Sequence, residues 1–202
     1  KGGMSFHGGL IGVIVSSYIF CKIKKLNFFK LMDVIACAAP IGIFFGRLTN
    51  FINSELWGKT TSLPWGVLFP NGGEVPRHPT QIYEAFFEGI VIFLLLNYFY
   101  KKKFAVAGYC ASLFLILYGI FRVSIEFIRE PDSHIGYIFG NFFTNGILLS
   151  LPMIILGYII FLKVNDKYQN HVLWMYISAY FDKIHSITKK NDLIQSIKDN
   201  YF

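Results

Sequence analysis

Five apolar runs constrain this chain more than any other feature: roughly Leu10–Cys21, Val34–Phe45, Ile82–Tyr100, Phe104–Ile128 and Phe143–Leu162. The three longer ones approach the roughly 20 residues that a helix needs to cross a bilayer. Hydrocarbon offers no water to backbone N–H and C=O groups, so a spanning segment must satisfy them internally as a helix or closed barrel. Runs of this length predict an all-α fold, a polytopic transmembrane helical bundle with about five spans. The first two runs are short for a span. They become long enough only if Phe6-His7-Gly8-Gly9 and Gly46-Arg47 also lie at membrane depth, where polar residues are expensive and usually functional.

Charge supports this reading. Only 15% of the 202 residues are charged and 54% are hydrophobic, against about 25% charged in ordinary soluble domains. The 22 Phe and 12 Tyr exclude a disordered chain. A net charge of +7 is compatible with nucleic-acid binding, but its placement points elsewhere. Lys22, Lys24, Lys25 and Lys30 follow the first run, Lys101–Lys103 the third, and Lys163 and Lys167 the fifth. All three clusters therefore fall on one side, which the positive-inside rule makes cytoplasmic. The basic balance is a topology signal, and no nucleic-acid partner is expected.

The other side collects the polar motifs. His7 opens the first run, Gly46–Gly58 closes the second, and a Pro/Gly-rich loop, Lys59–Thr80, leads to the third. Tyr118–Asp132 ends the fourth. The loop is expected to be an ordered excursion without long regular structure. The transmembrane domain is placed at 1–163. Residues 164–202 form a polar cytoplasmic tail whose apolar positions suit either an amphipathic surface helix or a loosely ordered end. The chain opens on Lys1 and is read as a fragment lacking its natural N-terminus.

Cys21, Cys37 and Cys110 are scattered through apolar runs without CxxC spacing, so they read as packing residues and not as a disulfide framework or zinc site. The five histidines show no HxxxH pattern, and no metal or organic cofactor is expected.

Four constellations carry candidate chemistry. At about 100° per residue, Tyr118, Arg122, Glu126 and Arg129 share one helical face among Ile and Phe neighbours. An Arg122–Glu126 salt bridge between helices is one reading, and a site for a charged ligand is the other. Arg47 ends the second run, followed by Asn50, Asn53, Glu55 and Gly58. Arginine offers a planar fork of donors suited to phosphate oxygens, although an interfacial Arg at headgroup level reads equally well. His7, near neutral pKa at an interface, is a candidate general base or a structural histidine. Arg77 and His78 could meet a headgroup, with Thr80 as a helix N-cap in the alternative.

Taken together and in order, His7-Gly8-Gly9, Gly46-Arg47 to Gly58, Arg77-His78-Pro79, Gln81 with Tyr83-Glu84, and Tyr118-Gly119 to Arg129-Glu130-Pro131-Asp132 resemble the bacterial prolipoprotein diacylglyceryl transferase family from Gly2 to about Leu162. Arg47, Asn50, Glu55 and Gly58 stand where the family's signature has an Arg, an Asn, a Glu and a Gly. Thr49 departs from a usual glycine, and the family's first two spans have no counterpart here. The tail after Lys163 matches nothing known in the family. The resemblance implies transfer of the diacylglyceryl group of phosphatidylglycerol to the lipobox cysteine thiol of a preprolipoprotein, at the outer face of the cytoplasmic (inner) membrane. It gives His7 as base, Arg47 and Arg122 as phosphate clamps, and Glu126 as orienter of Arg122. Asn50, Glu55, Gly58, Tyr118 and Arg129 fall to substrate binding. A transporter or lipid flippase is the alternative, although the chain has no internal repeat of the kind such proteins often show.

Overall fold

The computed structural model describes residues 6–103, 106–131, 144–166 and 177–178, with only the backbone of residues 6, 7 and 103. The chain divides into two compact units, Lys1–Leu162 and Lys163–Phe202. The first unit holds helices α1 (Phe6–Lys24), α2 (Phe28–Ile52), α3 (Thr80–Glu84), α4 (Ile92–Lys103) and α5 (Tyr109–Glu126), joined by the greater part of α6 (Asn145–Asp166). A π-helical segment, Ala85–Val91, joins α3 to α4 without a break, so Thr80–Lys102 forms one rod. No strand occurs among the described residues; there are only isolated bridges. Four rods, Phe28–Ile52, Thr80–Lys102, Tyr109–Glu126 and Asn145–Asp166, are long and apolar enough to cross a membrane. This is the architecture of a multi-pass helical membrane protein.

The outer faces confirm the solvent these helices suit. Ile11, Val15, Ile19 and Ile23 on α1, Val34, Ile41 and Phe45 on α2, and Ile155 and Ile159 on α6 are all exposed. Contiguous apolar exposure of this extent is rare on soluble monomers and ordinary against lipid. The buried core is small: Ala36, Cys37, Ile92, Leu96, Cys110 and Tyr118. Two of the cysteines pack there, as their apolar setting predicts.

Helix boundaries differ from the apolar runs in ways that matter. The second helix extends past Val34–Phe45 at both ends, because Asn27 caps its start by accepting from Lys30 N at 3.1 Å. Arg47 therefore lies inside α2, over a turn before its end. Helix α5 begins later than the fourth run's Phe104, after Gly108 takes φ +94°, a left-handed conformation that only glycine adopts freely. It ends at Glu126, so Arg129 sits beyond the helix.

Asp33 fixes the far end of the bundle. It is buried on α2, and its two oxygens accept from Gly108 N at 2.7 Å and Ala111 N at 2.8 Å. It thus caps α5 from another helix and satisfies N–H groups that no intrahelical partner reaches. With their N-termini joined, α2 and α5 run parallel, and the Thr80–Lys102 rod runs antiparallel between them. Asp33→Ala should lower stability by about 1–3 kcal/mol by leaving buried donors unpaired. Thermal unfolding in detergent measures this, and an unchanged midpoint would show that water replaces the cap.

Candidate functional site

At the other end of the bundle three arginines converge on one carboxylate. Glu84, fully buried at the end of α3, receives Arg122 Nη1 and Arg129 Nη1 on Oε1, each at 2.8 Å. Arg47 Nε lies 3.1 Å from its Oε2. Arg122 spans two carboxylates, since its Nη2 lies 2.8 Å from Glu126 Oε2. Glu88, one turn past Glu84 and also fully buried, meets only Arg47 Nη2 among the described residues, at 3.6 Å. Three guanidiniums and three carboxylates thus form a compact cluster within otherwise apolar rods. Charges with so little water interact strongly, and at membrane depth such groups mark functional sites.

The backbone explains how the cluster assembles. Gly89 packs so closely on α2 that a Cβ there would lie 2.7 Å from Phe44 Cβ and 3.0 Å from Phe44 Cα. This close approach lets Arg47, one turn on from Phe44, reach Glu84 and Glu88. The π-helical segment carries both Glu88 and Gly89, and such π insertions occur frequently at functional sites. Tyr118, buried one turn before Arg122, stacks on Phe114 with centroids 5.6 Å apart.

Arg129 is positioned by pairing and not by helix periodicity. Residues 57–61 run between two neighbours. On one side Gly58 N donates to His78 O at 2.9 Å, His78 N to Lys59 O at 3.0 Å and Thr61 N to Pro76 O at 2.9 Å. On the other, Lys59 N donates to Ile128 O at 2.8 Å and Glu130 N to Trp57 O at 3.3 Å. Lys59 Nζ also donates to Phe127 O at 3.0 Å, satisfying a carbonyl at the end of α5. The Pro/Gly-rich loop is therefore ordered and braces the site.

Gly58 stands where a side chain has no room: a Cβ would lie 2.7 Å from Ile128 O and from His78 Cβ. Arg77 is occupied by its own loop, donating to Gly72 O at 2.7 Å and Gly58 O at 3.2 Å, with Glu130 at 3.4 Å. His78 Nδ1 lies 3.4 Å from Tyr83 Oη, which accepts from Trp65 Nε1 at 2.7 Å. Thr80 is not an N-cap: it is the first residue of α3, and its hydroxyl donates to Leu56 O at 3.0 Å.

Asn50 and Glu55 face each other in the turn after α2, with Asn50 Nδ2 at 3.4 Å from Glu55 Oε2. Ser54 and Leu56 on either side of Glu55 adopt φ +55° and +60°. Two non-glycine residues in the left-handed region store strain, and the Gln81 side chain holds the turn by donating to Glu55 O. The side chain of His7 lies outside the described residues, as does Asp132; the His7 backbone belongs to the first turn of α1.

Among the sequence-derived residues, then, Arg47, Arg122, Glu126 and Arg129 meet, with Tyr118 buried on the same helix. Asn50, Glu55 and Gly58 form the adjoining turn. Glu84 and Glu88 were not singled out for the site, although two carboxylates four residues apart in an apolar run are the signal that marks them.

Glu126 depends on a glycine of α6. A Cβ on Gly146 would lie 2.6 Å from the Glu126 carboxyl carbon. The obstructed group is the far end of a side chain, so Gly146→Ala should fold, with a stability loss no larger than that of breaking the buried Arg122–Glu126 pair. It should displace the carboxylate from Arg122 and lower the turnover of any reaction that the cluster serves about tenfold or more. Activity matching wild type at equal stability would show that Glu126 need not stay where it is.

The family model for prolipoprotein diacylglyceryl transferase matches residues 1–163. The chain is 53% identical over 162 residues to the phosphatidylglycerol–prolipoprotein diacylglyceryl transferase of Pasteurella multocida (strain Pm70), covering 80% of this chain and 60% of that protein. It is 50% identical over 169 residues to the protein of the same name from Rickettsia akari (strain Hartford), covering 83% and 65%. It thus spans less than two thirds of the length of these curated relatives. A match running through every helix that contributes to the arginine cluster leaves one conclusion about ancestry: the chain belongs to the prolipoprotein diacylglyceryl transferase family.

Proposed function

We propose that this chain is the catalytic part of an enzyme that transfers the diacylglyceryl group of phosphatidylglycerol to the lipobox cysteine thiol of a preprolipoprotein. The observation that carries the reading is the meeting of Arg47, Arg122 and Arg129 on Glu84. In the reaction an S–C bond forms while the C–O bond to phosphate breaks. The electron pair stays on the phosphate oxygen, glycerol phosphate leaves, and the thiol proton goes to a base. A phosphodiester with one negative charge becomes a monoester approaching two. Fixed guanidiniums in a water-poor site stabilise that developing charge, which is where such donors contribute most.

In this reading Arg47 and Arg122 clamp the phosphate. Both retain some exposure, with side chains 18% and 14% accessible, whereas Arg129 at 5% braces Glu84 from behind. Glu126 and Glu84 orient Arg122 between them. Asn50, Glu55, Gly58 and Tyr118 shape the headgroup site, and His7 takes the proton of a thiol whose ordinary pKa is about 8.5. The lysine distribution supports a site facing the outer side of the cytoplasmic membrane, with the tail inside.

The test uses the full-length protein in membranes with headgroup-labelled phosphatidylglycerol and a lipobox peptide. Release of labelled glycerol phosphate that depends on the peptide cysteine is expected. A transporter would move lipid without releasing it, and peptide-independent or absent release would reject the transferase reading. His7→Asn with wild-type activity at every pH would reject the base alone.

A further inference from the structure

We propose that Glu88 takes up a proton from solvent when an anionic phosphodiester enters the arginine cluster, and so keeps the buried site neutral. The inference rests on the proposed anion site and extends it.

Charge balance is the first ground. With Arg47, Arg122 and Arg129 ionised against Glu84, Glu88 and Glu126, the six groups sum to zero. A phosphodiester adds one negative charge. An uncompensated charge in a water-poor site is very costly, and buried groups change protonation to avoid it. Arginine keeps its proton under all such conditions, so within the cluster the proton falls to a carboxylate.

Geometry selects which. Glu84 is held by three guanidiniums at 3.1 Å or less, and Glu126 is held by Arg122 at 2.8 Å. Glu88 is fully buried, neither of its oxygens has a hydrogen-bond partner, and among the described residues its one ion pair is the long 3.6 Å contact to Arg47. Arg47 is also a proposed phosphate clamp, so a bound phosphate competes with Glu88 for the same guanidinium.

The groups facing Glu88 come from every packed element. They are Arg47 from α2, Glu84 from the preceding turn, Arg122 and Tyr118 from α5, and Arg129 beyond it. The α4 continuation carries no charged group before Lys101. None of these groups offers Glu88 a second cation at ion-pair distance.

The experiment titrates full-length protein in nanodiscs with dihexanoylphosphatidylglycerol, whose phosphodiester keeps a single charge near neutral pH. Calorimetry in buffers of different ionisation enthalpy counts protons. Wild type should take up protons on binding, approaching one per anion as pH rises and the unliganded carboxyl ionises, with affinity weakening by up to about tenfold per pH unit. Glu88→Gln should bind without uptake and with flat pH dependence. Binding with no uptake in wild type, or uptake surviving in Glu88→Gln, overturns the proton inference and leaves the anion site standing. No binding in wild type overturns both. If Glu88→Gln does not fold, infrared difference spectra replace it: a protonated-carboxyl band gained on binding, in wild type and in Glu126→Gln, supports Glu88. Its absence from either overturns the assignment.

Discussion

Glu84→Ala should cut transfer by orders of magnitude and leave the protein markedly less stable. The carboxylate holds Arg122 and Arg129 on one oxygen and Arg47 beside the other, and it is wholly buried. Its removal leaves three guanidiniums facing two carboxylates, a net positive charge where little water reaches. Breaking a buried pair from one side costs about 3–5 kcal/mol, because the remaining charge is uncompensated. Here the loss falls on three elements at once, since Glu84 ties α2, α5 and the segment after α5 to the Thr80–Lys102 rod. Turnover should drop on the order of 10²–10³-fold, as expected when preorganised donors lose their alignment. Glu84→Gln separates the two effects. Its amide oxygen can still accept from one arginine, so stability should recover in part, while the amide nitrogen confronts a guanidinium and activity stays low. Thermal unfolding and the headgroup-release assay on both variants decide the matter. Wild-type turnover in Glu84→Gln would mean that the arginines hold their places without this charge.

The helical architecture was legible because bilayer thickness and backbone hydrogen bonding leave a long apolar run few choices. What the runs hide is where a helix begins and stops. Apolar content placed Arg47 at a helix end, whereas α2 continues to Ile52 and carries Arg47 among residues that pack on the π-helical segment. Hydropathy registers the polarity of Gly46 and Arg47. The helix ladder does not, since it bonds through any residue except proline.

Arg129 shows a different limit. Counting by 100° per residue placed it on the stripe of Tyr118, Arg122 and Glu126, and it does join Arg122 at Glu84. It arrives by another route, since α5 ends at Glu126 and Arg129 is placed by pairing of its neighbours with residues 57–59. Local periodicity gave the right company for reasons that a nonlocal contact supplies. Glu84, which stands in a motif, and Glu88, which stands in none, take no site role from sequence, because the arginines they meet lie on distant segments. Asp33 resembles them in sequence, an acid beside an apolar run, yet it caps α5. Only the fold distinguishes an acid that holds a helix end from one that meets arginines.

Arg122→Lys should cost activity nearly as heavily as removal of the side chain, although it preserves the charge. Arg122 works as a bridge: Nη1 meets Glu84 and Nη2 meets Glu126, both at 2.8 Å. One planar group thereby fixes the distance between two carboxylates on different rods. Lysine offers a single ammonium on a flexible stem and cannot hold both at once in a fixed plane. Its three donors diverge from one nitrogen, so contact with Glu84 leaves Glu126 uncompensated, or the reverse. The charge facing a phosphate would remain, but its direction would not. Losing one preorganised donor to a developing oxyanion costs about 10²–10³ in turnover, and Arg122→Lys should fall in that range with substrate affinity changed far less. Arg129→Lys is the comparison. Arg129 meets Glu84 through Nη1, a single-donor contact that an ammonium reproduces better, so its loss should be several-fold. Turnover and apparent affinity for phosphatidylglycerol, measured for both variants at matched folded fractions, test the ordering. Equal, mild losses in the two would show that positive charge alone serves the site and that the bridge between Glu84 and Glu126 has no part in the chemistry.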